Sequence, residues 1–362
     1  MAAPLRVLVA GGGTGGHLFP GIAVARELLG RHPAATVVFA GTARGLEARV
    51  VPAQGFELEL IRSAGLVGKS AVALARGVGL LPLSVLDAWR VVKRTRPDVV
   101  VGVGGYSSGP VVLIAAIRGL PTLVLEQNAI PGLTNRLLAR VVSAAAVSYE
   151  ATLPYFETRG FHSGNPVRPG FFAAPAVRAD RQPVPVLVIG GSQGAHAINV
   201  AMAAAAPVLA RSATVEVTHQ TGERDLGMVR AAYGRAGLAA RVEPFLDAME
   251  DEMAAAELLV CRAGATTLAE LVAAGRPAIL IPYPAAAHDH QRRNAAVLAA
   301  AGAAVVCEQT GVSGESLARE LLALAAAGER RARMGAAARR FARPDAARVI
   351  VDRIETLARR RA

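Results

Sequence analysis

The sequence predicts an α/β protein built from two Rossmann-like domains in series, each on a parallel sheet, with a deep cleft between them. Three observations carry this expectation. Short apolar runs alternate with helix-length segments along most of the 362 residues. Both halves open alike, Leu5–Ala10 running into GGGTGGHLFP at Gly11–Pro20 and Val186–Ile189 into GGSQGA at Gly190–Ala195. Between them Pro166, Pro169, Pro175, Pro183 and Pro185 crowd a stretch with no periodicity, the mark of a linker. A chain of this length also suits two cores better than one.

In order along the first half, Leu5–Ala10 reads as strand, Gly21–Leu29 as helix and Thr36–Ala40 as strand. Asp98–Val103 is a further strand, followed by a helix from about Pro110; Thr122–Glu126 is strand and Leu133–Ala139 helix. Strand, turn and helix at this rhythm mean right-handed crossovers and parallel pairing. After the proline-rich stretch the cycle restarts with Val186–Ile189 and a helix through Ala204. Strands follow at Val215–Thr218, Leu258–Val260, Ala278–Ile281 and Ala303–Val306. The expected domains are residues 1–163 and 164–343.

Hydrophobic residues make up 52% of the chain and aromatics 4%, so the cores must be Ala, Val and Leu. Cys261 and Cys307 are the two cysteines, without metal-ligand spacing around either, which suits a reducing cytoplasm. A formal charge of +12 points to anionic partners. Nucleic acid is disfavoured because no aromatics are interleaved with the basic clusters. Met1–Gly16 does not read as a signal peptide. Val99–Ile117 is long and uncharged, but its glycines and Pro110 suit a buried strand, turn and helix better than a membrane span.

Four segments carry candidate chemistry. The first loop contains G-x-G-x-x-G at Gly11, Gly13 and Gly16, which raises a dinucleotide site. The second strand, however, ends Phe39-Ala40-Gly41-Thr42 without the carboxylate such a site needs; Glu47 comes later. His17, just after the glycines, is placed either to accept a proton or to pack and bond local backbone. In the second loop Ser192 and Gln193 can donate to phosphate or sugar oxygens. In CRAGATTLAE, Cys261–Glu270, a strand meets Gly264 and a helix with Thr266 and Thr267 in its first turn, a start suited to a metal-free pyrophosphate site or to simple capping by either threonine. Glu270 lies one turn in, where it can take two ribose hydroxyls or merely complement the helix dipole. In HDHQRRNA, His288–Ala295, the consecutive His288, Asp289 and His290 cannot converge on one metal. Gln291 and Asn294, three residues apart, share a helical face suited to a sugar.

These blocks, together with GVGGYSSGP (Gly102–Pro110), LEQNAIPGLTN (Leu125–Asn135) and GNPVR (Gly164–Arg168), resemble in content and order glycosyltransferase family 28, and within it the UDP-N-acetylglucosamine transferases of peptidoglycan synthesis. The resemblance spans nearly the whole chain. It departs at Leu125, where histidine is expected in many relatives. It implies the GT-B fold, with UDP-N-acetylglucosamine in the C-terminal domain and no cofactor or metal. Ser192, Ala265, Thr266, Thr267, Leu268, Ala269 and Glu270 would surround diphosphate and ribose, Leu246 the uracil, and Gln291 and Asn294 the sugar. Arg168 would approach from the linker, with Thr14, Gly15, Gly16 and Asn128 closing from the N-terminal side. Tyr106, Glu126 and Asn128 would border the acceptor. His17 would be the base for an inverting transfer, with Glu126 as the alternative. The last helix, about 344–362, would pack back on the N-terminal domain.

The implied acceptor is lipid I, which calls for peripheral attachment to anionic lipid at the cytoplasmic face of the inner membrane. Gly65–Arg96 mixes Val72, Leu74, Val78, Leu80, Leu81, Leu83, Leu86 and Trp89 with Lys69, Arg76, Arg90, Lys93 and Arg94, an apolar surface rimmed by cations. Two rival functions stand beside this one. The first is another GT-B UDP-sugar enzyme, a diacylglycerol glycosyltransferase or UDP-sugar epimerase; the second is a non-catalytic nucleotide-binding module.

Overall fold

In the computed structural model, which describes residues 4–63, 71–191, 194–286 and 289–360, the chain divides into two compact units. Unit 1 comprises residues 1–167 and 343–362, and unit 2 residues 168–342.

Unit 1 is a seven-stranded parallel sheet. Its strands are β1 (Arg6–Gly11), β2 (Thr36–Gly41), β3 (Glu57–Leu60), β4 (Val99–Gly104), β5 (Thr122–Glu126), β6 (Ala144–Val147) and β7 (Gly160–His162). The spatial order β3-β2-β1-β4-β5-β6-β7 reverses direction between β1 and β4. That is the switch point where open α/β sheets take ligands at the carboxyl ends of their strands. The intervening helices are α1 (Gly15–Arg31), α2 (Glu47–Ala53), α3 (Ala71–Thr95), α4 (Ser108–Ile117) and α5 (Leu133–Leu138). Central strands such as β4 are buried along their whole length, the reason they read as unbroken apolar runs. β6 is also fully buried but short and mostly alanine, whereas β3 is half polar and only partly buried.

Unit 2 repeats the plan with β8 (Val184–Ile189), β9 (Val215–Gln220), β10 (Ala240–Glu243), β11 (Leu258–Cys261), β12 (Ala278–Leu280) and β13 (Ala304–Val306), ordered β10-β9-β8-β11-β12-β13. Its helices are α6 (His196–Ser212), α7 (Leu226–Ala236), α8 (Met249–Ala255), α9 (Ala265–Ala274), α10 (His290–Ala300), α11 (Gly314–Ala326) and α12 (Gly328–Arg339). The switch point falls between β8 and β11, so the loops entering α6 and α9 flank it.

The last helix, α13 (Ala346–Arg359), belongs to unit 1. Ile350, Val351, Ile354 and Leu357 form one apolar stripe, buried in the core that also holds Leu18, Ile22, Ala25 and Leu28 of α1. Arg31 fastens the polar edge to Asp352 and Glu355 at 2.6 and 3.4 Å.

The proline-rich stretch is pinned rather than loose. The buried arginines Arg276 and Arg331 donate to the Pro175 and Ala179 carbonyls, and Arg339 to that of Ala174. The Glu257 carboxylate takes the Arg178 N–H at 2.8 Å.

Candidate active site

In unit 1 the glycine loop after β1 folds against the loop after β4. Gly12 N–H donates to the Gly104 carbonyl at 3.2 Å. A Cβ on Gly11 would lie 2.3 Å from that carbonyl oxygen, and one on Gly105 would lie 2.4 Å from the Gly12 oxygen. Gly105 also has φ +83°, so side chains are barred there by strain as well as by space.

Helix α1 begins at Gly15, six residues before the expected start, so His17 lies in its first turn rather than in a loop. His17 N–H bonds the Thr14 carbonyl at 3.3 Å, and its Nδ1 is 3.4 Å from Thr14 Oγ1. The half-buried ring rests on Gly104, where any Cβ would come within 2.6 Å of His17 Cδ2. Gly15 and Gly16 are partly exposed beside it, Thr14 is exposed, and Tyr106 is exposed on the β4–α4 loop with its carbonyl taken by Ser63 Oγ.

The Gly13 N–H is not available to a phosphate. It donates at 2.6 Å to Glu47, whose buried carboxylate also takes the Thr42 N–H and hydroxyl. By position in the sequence Glu47 comes too late to serve a nucleotide site at the end of β2. The glycines ahead of it, Gly41 and Gly45, were the available signal, since each makes room for this carboxylate.

Glu126 departs from its expected role as the alternative base. Its side chain is 2% exposed. Oε1 accepts from the backbone and side-chain nitrogens of Asn128, and Oε2 from Gly132 N and Asn135 Nδ2, all at 2.9–3.2 Å. Burial pushes its carboxyl above the usual range while these donors pull it down. A carboxylate with all its sites filled holds the 126–135 loop and orients Asn128; it is not placed to receive a proton from substrate.

In unit 2 the segments expected around a donor lie at the β8/β11 switch point. Ser192 falls outside the described residues. Helix α9 carries no side-chain cap: Gly264 precedes it in an extended conformation, and Thr266 and Thr267 sit partly exposed in its first turn. An uncapped helix start presents the positive dipole end and backbone donors that receive an anion. Ala265 and Ala269 are partly exposed there. Leu268 departs from expectation, because its side chain is buried and its N–H is spent on the Gly264 carbonyl.

The side chain of Glu270, one turn into α9, makes no hydrogen bond among the described residues. Its side chain is part exposed yet closely ringed by protein, and burial pushes its carboxyl up to about 7, with Arg168 pulling down and Glu250 pushing up. Arg168 is exposed, paired to Glu250 at 3.0 Å and stacked over Phe171. A cation, an unpaired carboxylate and an uncapped helix start thus share one region of this unit.

Leu246 is buried, and its N–H donates to Gln220 Oε1 at 3.0 Å, while Gln220 Nε2 donates to the Gly191 carbonyl. Gln220, at the carboxyl end of β9, ties the second glycine loop to the segment after β10; β9 reads Val-Glu-Val-Thr-His-Gln, so no single polar residue there stands out as a signal. Gln291 is partly exposed and accepts from Tyr283 N–H. Asn294 departs from expectation: it is fully buried and donates to the Ala263 carbonyl at 3.3 Å, bracing the β11–α9 turn rather than facing a sugar.

Two parallel-sheet α/β units of this kind make up the GT-B architecture, and known glycosyltransferases share it. The family 28 glycosyltransferase N-terminal domain matches residues 7–147 and the C-terminal domain residues 185–350. The chain is 52% identical over 362 residues (99% of this chain, 94% of the relative) to the UDP-N-acetylglucosamine--N-acetylmuramyl-(pentapeptide) pyrophosphoryl-undecaprenol N-acetylglucosamine transferase of Anaeromyxobacter sp. (strain K). It is 46% identical over 354 residues (96% and 97%) to the protein of that name from Geobacter sulfurreducens. The crystal structure of Acinetobacter baumannii MurG superposes with a TM-score of 0.80 at 32% identity, covering 98% of this chain and 100% of that one. The calicheamicin glycosyltransferase CalG4 shares the fold at TM-score 0.72 and 18% identity, covering both chains fully. The chain belongs to glycosyltransferase family 28, among its N-acetylglucosamine transferases.

Proposed function

We propose that the protein moves N-acetylglucosamine, with inversion, from UDP-N-acetylglucosamine to the 4-hydroxyl of the N-acetylmuramyl residue of lipid I, giving lipid II. The observation that carries this reading is the identity, about half of all positions over nearly the full chain, with enzymes named for that reaction. Unit 2 holds the donor: the α9 start with Thr266 and Thr267 faces the diphosphate, Arg168 adds charge, and Glu270 takes the ribose hydroxyls. In unit 1 His17 removes the proton from the acceptor hydroxyl. In the tautomer that carries its proton on Nδ1, beside Thr14 Oγ1, the lone pair that takes the acceptor proton is that of Nε2. The acceptor oxygen attacks the anomeric carbon, the bond to the UDP oxygen breaks, and the helix dipole and Arg168 stabilise the departing diphosphate. UDP release by the purified enzyme should require lipid I; equal release with diacylglycerol or with no acceptor would overturn the assignment.

The Glu270 carboxyl supplies a pH test. Binding two hydroxyls as acceptor requires the ionised form, and the free protein holds the neutral form below about 7. Because this pKa lies above the ordinary 4.5, ionisation costs stability as pH rises through that window, and bound ribose offsets the cost. Affinity for UDP-N-acetylglucosamine should therefore fall about tenfold from pH 8 to pH 6, and the slope should vanish in Glu270→Gln. A wild-type slope of zero in calorimetric titration would remove the carboxylate from the ribose site.

The acceptor's lipid anchor requires a peripheral membrane contact, which we assign to α3 on the cytoplasmic face. Among the described residues no helix is long and apolar enough to cross a membrane. Ala88, Val91 and Val92 face the core, while Leu81, Leu83, Val85, Leu86 and Trp89 are exposed beside Arg90 and Lys93. Arg118 stacks on Trp89 at 4.9 Å. The Lys69 end of the expected surface lies outside the described residues, as do the side chains of Val72, Leu74, Arg76 and Val78. Arg90→Glu with Lys93→Glu should weaken binding to anionic vesicles by about 2 kcal/mol or more in a sedimentation assay, at about 1 kcal/mol per basic residue. Unchanged binding would put the contact elsewhere.

A further inference from the structure

The buried Glu47 carboxylate receives two loops at once, from Gly13 N–H at 2.6 Å and from Thr42 N–H and Oγ1 at 2.8 and 2.9 Å. It is 1% exposed. Three glycines are cut to fit it: a Cβ on Gly12, Gly41 or Gly45 would lie 2.2–2.4 Å from its side-chain atoms. All three donors point at one charged group, so these bonds are charge-assisted and short, the kind that fix a loop in one conformation. Gly13 is the residue before Thr14, whose carbonyl takes the His17 N–H and whose hydroxyl lies against the His17 ring. The chain from carboxylate to imidazole is therefore four residues of backbone with its N-terminal end anchored.

We propose that Glu47 is a positioning residue for the transfer reaction: it spends the Gly13 N–H on an internal carboxylate, so that this glycine loop sets the bearing of His17 instead of cradling a phosphate. The inference rests on the reading of His17 as the base. It explains why a loop with dinucleotide-like glycine spacing belongs to a fold half without a nucleotide carboxylate at the end of β2. A negative charge directly behind the loop opposes a phosphate there, while a neutral acceptor hydroxyl is unaffected.

The test compares the full-length enzyme with Glu47→Gln and, separately, Gly45→Ala. Gly45 lies outside the glycine-rich loop, and the atoms nearest its added Cβ are those of the Glu47 carboxylate, the oxygens at 2.2–2.3 Å, so the substitution displaces the carboxylate while the residues of loop and histidine stay unaltered. Each variant should lose about tenfold to a hundredfold in kcat, the scale of a misplaced catalytic group. Affinity for UDP should stay within about twofold, because unit 2 holds the nucleotide. The double variant should lose no more than the worse single one, since both act through the same carboxylate. Turnover is read well below each variant's melting temperature, so a merely structural role would appear as lower Tm with near-normal kcat. That outcome, or additive losses, overturns the proposal. An active His17→Ala enzyme would sink the base reading instead; normal kcat in Glu47→Gln beside an inactive His17→Ala sinks only the role of Glu47.

Discussion

His17→Ala is expected to lower turnover by about 10²–10⁴, roughly 3–5 kcal/mol of barrier, with donor affinity little changed. The expectation follows from the position of the ring: half buried in the first turn of α1, bonded to Thr14 and seated on Gly104. The segments assigned to the diphosphate, ribose and uracil lie in unit 2. If the ring instead only packs the β1 and β4 loops together, alanine there should cost thermal stability and leave turnover at saturation near normal. Turnover and UDP affinity measured on a variant confirmed to be folded separate the two, and normal turnover would retire His17 as the base.

The second large effect is on stability. Glu126→Ala should destabilise unit 1 by about 3 kcal/mol or more, because it strands donors from Asn128, Gly132 and the buried Asn135 at about 1–3 kcal/mol each. Glu126→Gln should cost less, since an amide keeps one acceptor while turning a donor toward another N–H. At a temperature where it remains folded, this variant should keep much of its turnover, its loss coming through the orientation of Asn128. A fall as deep as that of His17→Ala, with unchanged Tm, would return Glu126 to proton transfer.

Much of the architecture could be read from residue pattern because it rests on burial. Strands such as β4 and β8 are covered on both faces and must be apolar throughout, and the glycine loops sit where backbone approaches backbone. The strands that escaped notice were those whose partners supply the stability: Ala144–Val147 has small side chains, and Ala240–Glu243 is half polar. The start of α1 was placed late because Gly15, Gly16 and Pro20 are poor helix formers, and tertiary packing overrides their preference.

At the site, residue types were legible but directions were not. Glu270 and Asn294 are both polar residues within short helical segments, yet one meets solvent and the other is buried against the Ala263 carbonyl. Glu126 entered as the alternative base only through the family resemblance. Only the placement of Gly132 and Asn135, six and nine residues onward, shows its oxygens already filled. Glu47 was the reverse case, a carboxylate that spacing rules dismissed and that three-dimensional packing aims back at the first loop.

The measurement that bears most directly on the assignment is isolation of the product made from UDP-N-acetylglucosamine and lipid I by the purified enzyme. The donor sugar is α-linked to UDP, so inversion by a single displacement must give a β-linked N-acetylglucosamine on the muramyl 4-hydroxyl, one per UDP released. The solved UDP-N-acetylglucosamine 2-epimerase of Neisseria meningitidis shares this fold at 13% identity, so the fold alone does not decide between the two chemistries. Mass and anomeric coupling of the product that match the β-linked disaccharide are the predicted result. Release of UDP without disaccharide, an α linkage, or recovery of the 2-epimer of the donor would contradict it.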